Sequence, residues 1–366
     1  MTASGAKAVW PRNELIDLLK VDLPIIQSPM AGASGADMAV AVCNAGGLGS
    51  LPCAMLPPSE VRAEVATIRS HTSKPLNTNF FCHIASAPDS RRDRIWRERL
   101  ARYYRELHLE RPDSGPSSSR APFDAAMCEV VEETKPDVVS FHFGLPDNSL
   151  IGRVKACGAV IISSATTVEE ARWLEEHGCD AIIAQGCEAG GHRAMFLAKD
   201  VAAQVGTFAL VPQVVDAVAV PVIAAGGISD GRGIAAAFAL GASGVQVGTA
   251  YLMTQESLIT DVHRKALRSA RDDMTVLTNV FSGRPARGII NRIVRELGPM
   301  SDLTPQFPAA GAALAPLKAR AESNASGDFS ALWSGQAAAL AHETSAAELT
   351  QSLADDAQRC LSALAP

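Results

Sequence analysis

A chain of 366 residues, 47% apolar and 20% charged, can bury a large core, either as one α/β barrel or as two ordinary domains. Its net charge of −6 argues against nucleic acid as the main partner, and no uninterrupted apolar run reaches the roughly 18 residues of a membrane span. Met1 to Trp10 lacks the apolar stretch of a secretory signal, and the eight cysteines show neither a C-x-x-C pair nor zinc-like histidine spacing. These features predict a cytoplasmic chain with reduced cysteines, no metal and no membrane contact.

Short apolar runs alternate with helical patterns along most of the chain. Leu23 to Ser28 reads as the first strand, running into Pro29-Met30-Ala31-Gly32, and Ala36 to Ala45 as a small-residue helix. Leu48 to Leu51 is the second strand, Pro58 to Ser70 a helix entered at its proline, and Leu76 to Phe81 the third strand, carrying Asn77 and Asn79. An insertion over about residues 83–123 then breaks the rhythm. Arg91 to Arg105, crowded with arginines and aromatics, is expected to be helical, and Asp113 to Ser119, rich in Ser, Gly and Pro, a loop. Such a charge run usually lies on a solvated face. The competing expectation is a lid over the site, with Tyr103 and Tyr104 in it.

Regularity returns with a helix from Asp124 to about Glu133, and strand four, Val138 to Phe143, carries His142 near its end. Leu150 to Cys157 is a helix, Ala159 to Ser163 strand five, Val168 to His177 a helix, and Ala181 to Ala184 strand six. Gln204 to Val218 reads as a helix, Pro221 to Ala225 as strand seven, Arg232 to Leu240 as a helix and Gly244 to Val247 as strand eight. Eight such units predict a (β/α)8 barrel over residues 1–255, with a doubly wound sheet as the alternative. Residues 256–366, alanine-rich with a proline-rich break from Pro299 to Pro316, are expected to pack as a helical extension beside the barrel.

Ligands of such folds bind beyond the carboxyl ends of the strands, and the loops there carry the informative residues. After strand six comes Gln185, then Gly186, Gly190 and Gly191, with His192 directly after. Glycines let backbone N–H groups approach a ligand, and a histidine exchanges protons near neutral pH. The turns after strands seven and eight, around Gly226-Gly227 and Gly248-Thr249, have the position and composition of a barrel phosphate site. Gln185, Gln246, Asn79 and the turn at Met30 lie around the same mouth, and amide and backbone groups there suit the polar edge of an isoalloxazine ring. That describes FMN rather than a dinucleotide, since no G-x-G-x-x-G opens a βαβ unit. His142, at the end of strand four, is a second candidate for substrate contact.

Six segments in order carry a resemblance: P-I-I-Q-S-P-M-A-G, P-L-N-T-N-F-F, V-S-F-H-F-G, A-Q-G-C-E-A-G-G-H-R, A-A-G-G-I-S-D-G-R and V-Q-V-G-T-A-Y. With them the chain resembles the nitronate monooxygenases, formerly called 2-nitropropane dioxygenases, over about Pro24 to Arg292, and the resemblance is seen again in F-S-G-R-P-A-R-G, Phe281 to Gly288. The resemblance implies an FMN barrel that oxidises alkyl nitronates with O2 to a carbonyl compound and nitrite, without a nicotinamide reductant. It implies flavin contacts at Met30, Asn79, Gln185, Gly190, Gly191, Gly226, Gly227, Gln246, Gly248 and Thr249, and an active-site role for His192. That histidine would either hydrogen-bond the nitronate or act as a base toward a neutral nitroalkane. One departure is Ala194, where the family commonly has glycine. The rival readings are an FMN-dependent enoyl-acyl carrier protein reductase using NAD(P)H and a non-catalytic flavin- or phosphate-binding barrel.

Overall fold

In the computed structural model, which describes residues 10–85, 87, 89–111 and 120–364, all eight expected strands form one parallel sheet. They are β1 (Ile25–Gln27), β2 (Gly49–Pro52), β3 (Leu76–Phe81), β4 (Val138–His142), β5 (Val160–Ala165), β6 (Ala181–Gln185), β7 (Val222–Ala225) and β8 (Gly244–Val247). β1 pairs with β8 in the register Ile25↔Val245, and the bridge Ile26↔Leu48 joins β1 to the start of β2, closing the ring. The (β/α)8 barrel predicted from the alternation is therefore the observed fold, and the doubly wound sheet is not.

The barrel interior is layered by polarity. At the amino ends of the strands it is apolar, with Ile26, Leu48, Val138, Ile162, Ile183 and Ile223 buried against Leu15 and Leu19. Those two leucines come from a helix, Glu14–Leu19, that plugs the barrel floor and was not expected from the sequence. Gly244 makes room for it, since a Cβ there would stand 2.4 Å from Leu15 Cδ2. Toward the carboxyl ends the interior turns to buried amides and hydroxyls. Ser50 N donates to Gln27 Oε1 at 2.9 Å, Asn77 Nδ2 to Ser50 Oγ at 2.9 Å, and Asn79 Nδ2 to Ser140 Oγ at 2.9 Å. These paired amides and hydroxyls form a polar rim, in which Asn77 Oδ1 is buried without a partner.

The segment after β8 is not purely helical. It contains β9 (Thr275–Thr278) and β10 (Ala286–Ile289), an antiparallel pair to which the two-residue strand Gly191–His192 adds. The last helix, Ala346–Leu364, packs on the helix Gly231–Ala239 and on Ala36–Asn44, so it takes the place of the barrel's eighth outer helix. At Gly231 the two backbones come so close that a Cβ would lie 2.3 Å from the Asp356 carbonyl carbon.

The insertion after β3 holds the helix Ser90–Glu106, capped by Asp89, whose side chain accepts from Arg92 N. Its apolar face does not cover the barrel mouth. Trp96, Leu100, Tyr103 and Tyr104 are buried against Phe281, Ile293, Val294 and Leu317, all from beyond β8. Tyr104 Oη donates to Ala313 O at 2.8 Å and Tyr103 Oη to Glu296 at 2.9 Å, so these tyrosines are packing residues and not a lid. The loop expected at Asp113 to Ser119 lies outside the described residues. No helix among the described residues is long and apolar enough to cross a membrane.

Candidate active site

Every residue expected to contact the flavin or the substrate lines one cavity of about 380 Å³ at the carboxyl ends of the strands. Met30 stands after β1, Asn79 on β3, His142 at the end of β4, and Gln185 at the end of β6. Gly190, Gly191 and His192 follow β6, Gly226 and Gly227 follow β7, Gln246 lies on β8, and Gly248 and Thr249 follow it.

Over one half of the cavity the walls are backbone. Gly226 and Gly227 have φ of +112° and +70°, conformations that an L side chain strains to adopt. A Cβ on Gly191 would meet nothing within 4 Å, so this glycine borders open space. Gln246 Oε1 is buried with no hydrogen-bond partner, an acceptor of the kind that structures rarely leave unmatched. Thr249 Oγ1 accepts from Gly335 N at 2.9 Å, which leaves its proton free to donate. Glu188 braces the turns from behind, accepting from Thr207 N at 2.9 Å and Thr207 Oγ1 at 2.8 Å. The strap around Gly335 lies so close to Gly190 that a Cβ there would come within 2.5 Å of Gly335 N.

The other half is aromatic and cationic. His192 is pinned through its backbone: its carbonyl accepts from Gln185 Nε2 at 3.1 Å and from His142 Nε2 at 3.3 Å, and it pairs with Ala286 of β10. Ala194 N donates to Gln185 Oε1 at 2.9 Å, so the alanine that departs from the expected glycine is buried and tied in. The next side chain, Arg193, is fully buried and donates to Gln185 O at 2.7 Å and Gln204 Oε1 at 2.9 Å. The imidazole of His192 sits among Phe307, Trp333, Phe143 and Phe81, at centroid distances of 5.5, 5.5, 6.0 and 6.4 Å, with Nε2 2.9 Å from Ser282 Oγ.

Arg284 lies over the Phe143 ring at 4.0 Å and Arg120 over Phe307 at 5.9 Å. Burial, reinforced by these cations, holds the histidines neutral. His142 is pulled down to about 3, His83 to about 4, and His192 well below the usual imidazole range. Burial also lowers Arg284 to about 10. This half therefore offers neutral imidazoles under a positive field, a setting for an anion.

Sequence reasoning missed His83, Arg120, Ser282, Arg284, Phe307 and Trp333. Only F-S-G-R-P-A-R-G, Phe281 to Gly288, hinted at Ser282 and Arg284, as a further piece of the resemblance.

A family model described as nitronate monooxygenase matches residues 12–356. A nitronate monooxygenase of Pseudomonas aeruginosa is 41% identical over 341 residues, 93% of this chain and 97% of that protein. A nitroalkane oxidase from Streptomyces ansochromogenes superposes with a TM-score of 0.88 at 37% identity, covering 96% of this chain and all of the other. FabK from Thermotoga maritima superposes less closely, with a TM-score of 0.71 at 26% identity over 97% of this chain and 99% of that one. On this evidence of sequence and fold, the chain belongs to the nitronate monooxygenase family and is an oxidoreductase.

Proposed function

We propose that the enzyme binds FMN and oxidises small alkyl nitronates with O2 to a carbonyl compound and nitrite, without NAD(P)H. The observation that carries this reading is the pairing of a backbone-walled half, which fits a flavin phosphate and ring edge, with a cationic half of neutral histidines, which fits an anion. The fit to FMN rests on the partnerless Gln246 Oε1, the open space at Gly191 and the glycine turns after β7 and β8. Gly226, Gly227, Gly248 and Thr249 would take the phosphate; Met30, Asn79, Gln185, Gly190, Gly191 and Gln246 would border the ring. When bound, FMN supplies the one-electron chemistry that an electron-rich nitronate needs to react with O2.

The chain's own residues do the rest. Arg120, which lines the cavity, with Arg284 behind it over the Phe143 ring, draws the anion to the end where His192 stands, and Phe81, backed by Phe143 and Phe307, excludes water, so the field acts at low dielectric. The single Ser282 hydroxyl proton can go to Arg284 O at 3.2 Å or to His192 Nε2 at 2.9 Å; on the shorter contact it leaves the imidazole proton on Nδ1, where it can be donated to a nitronate oxygen. A histidine held neutral this strongly is a poor base at neutral pH, which favours the pre-formed nitronate over the neutral nitroalkane as substrate.

The test is to assay the purified yellow protein for nitrite release and O2 uptake with a pre-formed alkyl nitronate, and to identify the released flavin by mass. Release of FAD, or absence of nitrite, would overturn the proposal.

A further inference from the structure

One buried carboxylate has no part in the chemistry described so far. Glu170 lies fully buried in the first turn of the helix Val168–Glu176, where the cap residue Thr167 accepts from Glu170 N at 3.1 Å. Thr167 and Glu170 have the spacing of a capping box, in which the glutamate reaches back to the cap residue's own N–H. Here the carboxylate reaches further and holds more. Oε2 accepts from Thr166 N and Thr166 Oγ1, both at 2.7 Å, and Oε1 accepts from Phe196 N at 2.7 Å, Leu197 N at 3.0 Å and Ala198 N at 3.2 Å. Three successive amides of a distant segment converge on an oxygen that helix capping does not require.

That segment leads straight from the active-site histidine. Phe196, Leu197 and Ala198 belong to no helix or strand, so Glu170 supplies the acceptor that a ladder would otherwise give their N–H groups. The same helix holds Phe196 by its ring, 5.1 Å from that of Trp173. Just before the gripped amides, the chain meets the stretch that carries Arg284. Arg193 N donates to Pro285 O at 2.9 Å, and the Arg284 guanidinium donates to Met195 O. This second bond ties down the guanidinium that lies over the Phe143 ring. Burial lowers Arg284 to about 10, and the negative charge of Glu170 opposes that fall.

A functional group is placed only as well as the shell that supports it. Met195 directly precedes the first amide that Glu170 holds, so a shift of the carboxylate shifts the carbonyl on which Arg284 rests. We infer that Glu170 is a positioning residue: it fixes Met195 O and, through it, Arg284, whose charge favours an anion beside His192. The inference rests on the nitronate reading of the site and adds to it a residue that does not line the cavity. His192 is held by separate bonds, from Gln185 Nε2 and His142 Nε2 to its carbonyl, so the effect belongs to anion binding.

The experiment titrates butyrate, an unreactive anion with a planar head like that of a nitronate, against the visible spectrum of the flavin-loaded enzyme without O2. The native chain is compared with Glu170→Gln, Glu170→Asp and Arg284→Met, and with each Glu170 change combined with Arg284→Met. Each single variant should weaken butyrate by roughly three- to thirtyfold. In the double variants the Glu170 change should add little to the loss from Arg284→Met, because both act through one guanidinium. With propane-1-nitronate the loss should fall on KM more than on kcat. Charge alone would act the other way, since Glu170→Gln removes a negative charge near the site and would tighten butyrate. Native or tighter binding in Glu170→Gln, native binding in Arg284→Met, or losses that add in the double variants would overturn the inference while leaving the nitronate reading intact. Should Glu170→Gln yield no flavin-loaded protein, Glu170→Asp, which keeps the charge but shortens the reach, decides the same question by the same non-additivity. A native enzyme that neither binds butyrate nor releases nitrite would overturn the nitronate reading, and the inference with it.

Discussion

His192 is held in place by its main chain, leaving its side chain available for the proposed chemistry. Its carbonyl has two donors, its backbone pairs with β10, and its ring meets Ser282 through Nε2, while Nδ1 has no partner among the described residues. If Nδ1 donates to the nitronate, His192→Ala should lower kcat/KM by about ten- to a hundredfold, the worth of one charge-assisted bond of roughly 1.5–3 kcal/mol. His192→Asn, which keeps a donor, should lose less, and FMN content should stay normal in both. Steady-state nitrite release checks this, and full activity of His192→Ala would make the histidine a wall residue. The protonation state yields a second prediction. Because burial keeps the free enzyme's imidazole neutral well below its usual range, kcat/KM with pre-formed nitronate should show no acid limb near 6.5. A limb at that pH would mean that a solvated histidine controls the reaction.

At the level of elements, the strap carrying Ser334 and Gly335 couples the glycine loop after β6 to the turn after β8. Gly335 N bonds Thr249 Oγ1, Gln336 N bonds Glu188 O at 3.0 Å, and Gly190 has no room for a Cβ against Gly335. Gly190→Ala should push the strap outward and release Thr249, weakening FMN binding by about tenfold or more, at a cost of overpacking of roughly 1–3 kcal/mol. Flavin retention through gel filtration and rebinding by fluorescence would measure it, and native affinity in this variant would contradict the coupling. The strap and the small sheet were not readable in the sequence, whereas the barrel strands were. Val138–His142 and Ala181–Gln185 are short apolar runs ending in a polar residue, a pattern that buried parallel strands produce on their own. Thr275–Thr278 and Ala286–Ile289 are strands only because each has the other, and Gly191–His192, to pair with.

Across the whole molecule, the substrate side of the cavity is assembled from segments far apart in the chain. The glycines and amides of the proposed flavin half sit on barrel turns and were legible as motifs. Arg120 and Trp333, with Arg284 and Phe307 behind them, arrive from the insertion after β3 and the segment after β8, and of these only Arg284 lies in a recognisable stretch. Those two regions are joined by their own apolar cluster, in which Trp96 and Tyr103 meet Val280, Phe281 and Ile293. Packing of this kind also makes stability depend on pH. His83, His142 and His263 are held near 4, 3 and 4, and His192 lower than usual, all chiefly by burial. The unfolded chain takes up these protons below about 6.5 while the folded one does not, so stability is full above that pH and falls on acidification. Each such group contributes up to about 1.4 kcal/mol per pH unit between its two pKa values. The melting temperature should therefore drop between pH 7 and pH 5, and one that stays level would mean the histidines are solvated.

The most direct measurement mixes the flavin-loaded enzyme without O2 first with NADH and then, separately, with a small alkyl nitronate, following the visible absorbance before O2 is admitted. The account predicts that NADH leaves the flavin oxidised, that the nitronate bleaches it, and that O2 restores the colour with release of nitrite. Rapid bleaching by NADH, with no nitrite from the nitronate, would contradict it.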